Sequence, residues 1–317
     1  MSDKQSTGSA EVSGPARHSV EKIGGTSMSD YVAVRDNVIF KGAGPENALG
    51  RVFVVSAYGG ITDGLLEHKK TGEPGVFGAF RESENTCCWR DALERVQCRM
   101  LAVNADVFVD ELSQKAADNY IKGRISTVAD CLENLEQLCQ HGHFSLETQL
   151  DAVREMLASL GEAHSAWNLT QLLRLDGVPA IYIDLTGWQD EGTMDLDTRI
   201  EQAFEAVDLQ WNTVVCTGYA RSQGGLMRVF DRGYSEMTFS RIAVLTGARE
   251  AIIHKEYHLS SADPKLVGEA AVVPIGRTNY DVADQLSGLG MEAIHPSAAR
   301  GLREAGIPLR VKNTFEP

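Results

Sequence analysis

Two kinds of segment alternate along the chain. Short, almost wholly apolar runs bounded by glycine or polar clusters read as buried strands: Val20–Ile23, "RVFVVSAYGG" (Arg51–Gly60, closing in a glycine turn), "AIYIDL" (Ala180–Leu185), "NTVVCTGYA" (Asn212–Ala220), "EAIIHK" (Glu250–Lys255) and "IPLRVKN" (Ile307–Asn313). "AAVVPIG" (Ala270–Gly276) adds a further candidate. Between them apolar residues recur at three-to-four spacing, the signature of amphipathic helix. This holds from about Trp89 to Leu175, as in "VADCLENLEQLC" (Val128–Cys139), and again over 281–289 and 297–305. Asp231–Gly247 reads as a turn followed by an apolar helix, and His68–Gly75 as an exposed loop. Strands separated by helices predict an α/β protein, a three-layer α/β/α sandwich with a mainly parallel central sheet. Residues 1–17, rich in Ser, Gly and charge, are expected to form a disordered tail. No Pro-rich or Gly-rich linker divides the remainder, which points to two lobes sharing one sheet.

Composition narrows the partners. The 317 residues are 43% hydrophobic and 23% charged, with a net charge of -14. That field repels nucleic acid and anionic membrane unless a local basic patch intervenes. The densest cationic run, His68-Lys69-Lys70, falls in the expected loop. No apolar run is long enough to span a bilayer. The six cysteines (Cys87, Cys88, Cys98, Cys131, Cys139, Cys216) show no paired metal-ligand spacing, so reduced thiols and a cytoplasmic location are expected. His141 and His143 have no carboxylate or cysteine partner nearby in sequence and read as a solvated loop, so no protein-held metal site is expected. Cys216, on an apolar strand, reads as core.

Candidate chemistry concentrates in glycine turns at predicted strand ends or helix starts: Gly24-Gly25, Gly59-Gly60, Gly218 and Gly233. Glycine lets backbone N–H groups approach an anion, and a helix N-terminus adds a favourable dipole. Lys22 and Arg232 stand beside two of these turns, which favours phosphate chemistry. In a Walker loop the lysine follows the glycines; here Lys22 precedes them. No Walker sequence, no GxGxxG after a strand and no protein-kinase catalytic loop is present.

"KIGGTS" (Lys22–Ser27) resembles the K-F-G-G-T-S signature of aspartate kinases, in the amino acid kinase family. Six more segments follow in that family's order: "VVSAYGGITD" (Val54–Asp63), "SLGEAHSA" (Ser159–Ala166), "DRGYSEMT" (Asp231–Thr238), "SADPKLV" (Ser261–Val267), "GMEAIHPSA" (Gly290–Ala298) and "GIPLRVKNTFEP" (Gly306–Pro317). The resemblance runs from about residue 18 to the end. It implies the amino acid kinase fold over 18–317, with an aspartate-binding lobe at 18–224 and an ATP-binding lobe at 225–317. It also implies transfer of the ATP γ-phosphoryl group to the β-carboxylate of L-aspartate, with Mg²⁺ held mainly by phosphates and water. The variants "VEKIGGTSM" and "DRGYSEMTFS" resemble the aspartate kinases of ectoine synthesis. No ACT regulatory domain is expected within these residues, which leaves open a monomer or a homodimer paired through the kinase domain.

The resemblance also implies roles. Lys22 would contact the phosphoryl group in flight, with Gly24 and Gly25 beside the phosphates. Ser56 and Thr62 would line the aspartate pocket, Glu162 would bind the α-ammonium, and Arg232 would hold a substrate carboxylate through its two-pronged donors. Ser235 and Glu236 would lie at the substrate. Lys255, Glu256, Asp263 and Lys265 would lie on the nucleotide side. Three departures stand out: Glu236 replaces an aspartate, Tyr234 replaces a glycine, and Glu292 stands where many members have a lysine. These departures suit one rival reading, a non-catalytic ligand-binding relative. A second rival is another amino acid kinase, such as one acting on acetylglutamate, and its N-acylated substrate lacks the ammonium that Glu162 would bind.

Overall fold

The computed structural model describes residues 18–82, 87–259, 268, 273, 275 and 294–316. The tail 1–17, Asp263, Lys265, Glu292, the expected helix at 281–289 and most of the 270–276 run lie outside the described residues. The six strands are β1 (Ser19–Ile23), β2 (Arg51–Val55), β3 (Ala180–Ile183), β4 (Thr213–Thr217), β5 (Glu250–Lys255) and β6 (Leu309–Asn313). They form one sheet in the order β3-β4-β2-β1-β5-β6, and every pairing is parallel. β1, β2 and β4 are buried at every position, as strands covered on both faces must be.

The helices used below are α1 (Gly25–Met28), α2 (Ile61–Leu65), α3 (Val76–Glu82), α4 (Cys87–Val107), α5 (Glu111–Cys139), α6 (Leu150–Leu175), α7 (Leu196–Phe204), α8 (Tyr234–Leu245) and α9 (Pro296–Glu304). The strand order assigns them to layers. The steps from β1 to β2 and from β2 to β3 run one way across the sheet, and all later steps run back. With right-handed crossovers, α2–α6 therefore cover one face and α7–α9 the other. The packing agrees: α4, α5 and α6 pack on one another, while α8 packs on α7 and α9. The connection from β1 leaves one way and that from β5 the other, which puts the crevice where ligands usually sit in such a sheet beyond the carboxyl ends of β1, β2 and β5.

α6 is buried nearly all round over its second half, from Leu157 to Ala166 without interruption. It runs under the sheet as a core helix and delivers Glu162 to the crevice. The expected helical region 89–175 is three helices, interrupted where Asp110 caps α5 by accepting the Ser113 N–H at 2.8 Å and again over 140–149. α7 and the helical stretch Val34–Ile39 were not anticipated from the apolar spacing.

A buried ionic network crosses the sheet centre. The Arg51 guanidinium meets both oxygens of Glu21 at 2.6 and 2.7 Å and donates to the carbonyls of Val38 and Ile39. His254 Nε2 lies 2.7 Å from Glu21 Oε2, and Ser19 Oγ donates to Oε1 at 2.8 Å. Burial alone would raise the Glu21 carboxyl, but His254 and Arg51 outweigh it and hold the group well below the usual carboxylate range. Its contribution to stability is therefore full above the ordinary carboxylate range and fades as pH falls. Glu21→Gln leaves Arg51 buried without a counter-charge and is expected to cost about 3–5 kcal/mol. The urea midpoint checks this, and a midpoint equal to the parent's would refute it.

Candidate active site

β1 ends in Lys22-Ile23 at the crevice, and the chain turns at once through Gly24 into α1. The Gly24 N–H donates to the His254 carbonyl at 3.2 Å, which fixes this turn to the end of β5. Gly25 packs against the loop after β2: a Cβ there would lie 2.5 Å from the Ala57 carbonyl oxygen. Only glycine lets the first and second loops approach so closely. Ser56, the first residue past β2, donates its N–H to the Ile23 carbonyl at 3.1 Å, and its own carbonyl accepts the Ser165 hydroxyl of α6 at 2.9 Å. The second loop is also held by a buried polar cluster. The Tyr58 ring meets His164 edge-on at 5.3 Å, and His164 Nε2 lies 2.7 Å from Asn104 Oδ1. Burial pushes His164 down to about 3, so the imidazole is neutral.

Glu162 is the centre of the site. It is 1% exposed, and Oε1 accepts the Ser235 hydroxyl at 2.6 Å. Oε2 is buried without a hydrogen-bond partner in the structure. The Tyr234 phenol and the Tyr219 backbone also approach the carboxyl as donors and lower it in part, while Oε2 has no partner within strict hydrogen-bond geometry. Burial drives the Glu162 carboxyl up to about 8, and Ser235 and the nearby Lys22 charge offset this only in part. A buried carboxyl with one orphan oxygen and a near-neutral pKa is a group prepared for a cationic ligand.

Lys22 is 9% exposed, and its Nζ lies 3.5 Å from Glu236 Oε1. Glu236, in the first turn of α8, also accepts the His295 N–H at the start of α9. The longer side chain that replaces the expected aspartate thus bridges Lys22 and the neighbouring helix cap. His295 caps α9, with Nδ1 accepting the Ser297 N–H at 3.2 Å.

Arg232 belongs to the turn before α8. Its Nη1 donates to Asp63 Oδ1 at 2.6 Å, and its Nη2 donates to the Glu67 carbonyl. The preceding residue, Asp231, has φ +45°, an unfavourable backbone for a non-glycine residue. Arg154 of α6 braces this turn, pairing with both Glu67 oxygens at 2.6 and 2.9 Å and with Asp231 at 3.5 Å. Thr62 lies in α2 next to Asp63 and so belongs to the same wall.

The described residues thus gather Lys22, Gly24, Gly25, Ser56, Glu162, Arg232, Ser235 and Glu236 around the carboxyl ends of β1, β2 and β4, with Thr62 flanking. Lys255 closes β5 on the opposite side of β1, followed by Glu256, and the Lys255 carbonyl accepts the Thr314 N–H at 2.8 Å. Asp63, Glu67 and Arg154 were not singled out from sequence, because their roles arise from contacts between distant segments. The charged Glu21 inside a buried central strand was a signal for the ionic network below the site. Cys216 is core, and His141 and His143 are exposed. Among the described residues no group of three or more His, Cys, Asp or Glu has metal-holding geometry, and no helix is long and apolar enough to cross a membrane.

Comparisons with known proteins agree with this architecture. A protein from Stutzerimonas stutzeri named aspartate kinase Ask_Ect is 58% identical over 301 residues, covering 95% of this chain and 63% of its own length. The aspartokinase of Saccharomyces cerevisiae is 29% identical, covering 94% of this chain and 57% of its own. The chain therefore spans less than two thirds of these relatives. Escherichia coli aspartokinase III, solved with aspartate and ADP, superposes with a TM-score of 0.66 at 21% identity, over 95% of this chain and 63% of that one. At that identity the likeness speaks for the fold. Residues 19–313 match the profile of the amino acid kinase family, and the chain belongs to that family.

Proposed function

We propose that this chain carries the catalytic site of an aspartate kinase, transferring the γ-phosphoryl group of ATP to the β-carboxylate of L-aspartate to give 4-phospho-L-aspartate. The observation that carries the proposal is Glu162: a buried carboxyl, anchored by Ser235, with its second oxygen unpartnered. A free α-ammonium gives that oxygen both a donor and a counter-charge; an N-acylated amino acid offers an amide N–H without the charge, which argues against an acetylglutamate substrate. The 58% identity to a protein named Ask_Ect supports placing the enzyme in ectoine formation.

In this reading Arg232 takes a substrate carboxylate, and Ser56 and Thr62 line the pocket around it. The attacking carboxylate is already ionised, so no general base is needed. Catalysis then rests on positioning and on neutralising charge at the transferring phosphoryl group. Lys22 supplies a fixed cation there, oriented by Glu236, with the backbone N–H groups at Gly24 and Gly25 beside the phosphates. ATP would enter from the β5 side, past Lys255 and Glu256, with Asp263 and Lys265 assigned to its phosphates or ribose. The division into an aspartate lobe at 18–224 and an ATP lobe at 225–317 follows the same logic, since β1–β4 precede the boundary and β5–β6 follow it. Mg²⁺ would arrive with the nucleotide, held by phosphates and water, and would neutralise phosphate charge. A cytoplasmic location, and either a monomer or a homodimer paired through the kinase domain, belong to this reading.

A hydroxamate assay with ATP, Mg²⁺ and L-aspartate tests it, with acetylglutamate and buffer as controls. Aspartyl hydroxamate formed only with aspartate is the expected result. Folded protein that yields product only with acetylglutamate, or none with either, would contradict it.

A further inference from the structure

The cation assigned to the substrate carboxylate is matched by a carboxylate of the chain itself. Asp63 Oδ1 lies 2.6 Å from Arg232 Nη1. The pair is partly shielded, with side chains 27% and 18% exposed. Asp63 is itself fixed: it follows the second-loop glycine turn on α2, accepts the Lys69 N–H at 3.2 Å, and has His68 Nε2 at 3.9 Å. Arg232 has a second anchor that carries no charge, the Glu67 carbonyl, and the turn beneath it is braced independently by Arg154. Arg232 therefore does not depend on Asp63 for its place. What Asp63 adds is a negative charge at the position where a substrate carboxylate would bring its own.

We infer that Asp63 is an internal stand-in for the substrate carboxylate. It competes with the substrate carboxylate for the Arg232 guanidinium and so sets the affinity for aspartate. The inference rests on the reading of Arg232 as the carboxylate-binding residue. Two anions sharing one guanidinium repel each other, so each must weaken the other's hold. The consequence is a KM higher than the bare guanidinium would give.

Asp63→Asn separates charge from shape, because the amide oxygen can still accept from Arg232 while the competing charge is gone. The variant is expected to lower the KM for aspartate about three- to tenfold with kcat within about twofold of the parent, the scale of a part-exposed ion pair. Asp63→Glu is expected to restore a KM close to the parent's. Calorimetric titration of aspartate into both variants reads the same change without turnover. A residue that only supported the loop would give the opposite split, with KM raised and kcat lowered. Arg232→Ala is the control for the underlying reading and is expected to raise the KM by at least about a hundredfold. If Arg232→Ala raises the KM while Asp63→Asn leaves it unchanged or raises it, the stand-in role of Asp63 alone is overturned. If Arg232→Ala leaves the KM unchanged, the assignment of Arg232 falls and the inference falls with it.

Discussion

Lys22→Ala is expected to lower kcat by about 10²–10³-fold, the loss seen when one fixed charge-stabilising donor is removed from a transition state. Lys22 is the cation at the end of the central strand, 9% exposed and held by Glu236 at 3.5 Å. Its position is set by β1, which pairs with β2 on one side and β5 on the other. The substitution removes only the buried stem of Lys22, while Val20 and Ile23 keep the apolar contacts of this strand and Glu21 its ion pair. Glu236 keeps its bond to the His295 N–H and is partly exposed, so loss of its partner leaves no sealed charge. The variant should therefore keep the parent's circular dichroism and unfolding midpoint while losing turnover. Parental kcat in folded Lys22→Ala would remove Lys22 from the mechanism.

Glu162→Gln is expected to raise the KM for aspartate by at least about a hundredfold, the scale of a lost buried charge pair of a few kcal/mol. It should also abolish a pH dependence that the parent shows. Burial holds the Glu162 carboxyl at about 8, so at neutral pH the empty site is mostly protonated there. Only the carboxylate pairs with an ammonium, so aspartate affinity in the parent should rise as pH increases toward 8 and level off above it. Stability moves the other way. The folded state holds this proton where the unfolded chain, near an ordinary value of 4.5, has released it. Between about 4.5 and about 8 the group's contribution to stability therefore falls as pH rises, by at most about 1.4 kcal/mol per pH unit. The amide of Glu162→Gln cannot titrate, so both slopes should flatten in the variant. Parallel pH profiles in the two proteins would show that another group governs binding.

The sheet was legible because most of its strands are short runs rich in apolar residues and bounded by glycine or polar clusters, and the six described strands match the expected segments to within one residue. Their spatial order was not legible: nothing in "AIYIDL" or "NTVVCTGYA" says that β4 inserts between β2 and β3. α7 escaped because its apolar positions, Ile200 and Phe204 among them, form only a narrow stripe around the buried Arg199. At the site, Lys22 and the glycines were legible because a loop that must approach another backbone restricts residue type, as Gly25 against Ala57 shows. The burial of Glu162 was not, since a glutamate in a helix is ordinarily a surface residue. Its orphan oxygen is a property of packing alone. Asp63 was unread for a similar reason: its partner Arg232 is 169 residues away in sequence, and only the fold brings them together.

The measurement that bears most directly on the central claim is the proton balance of aspartate binding, read by calorimetry near pH 7 in buffers of different ionisation enthalpy. The account predicts release of close to one proton per aspartate bound, as the ammonium converts Glu162 to its carboxylate, and none in Glu162→Gln. Binding without proton release in the parent, or equal release in both proteins, would contradict the assignment of Glu162 as the ammonium site.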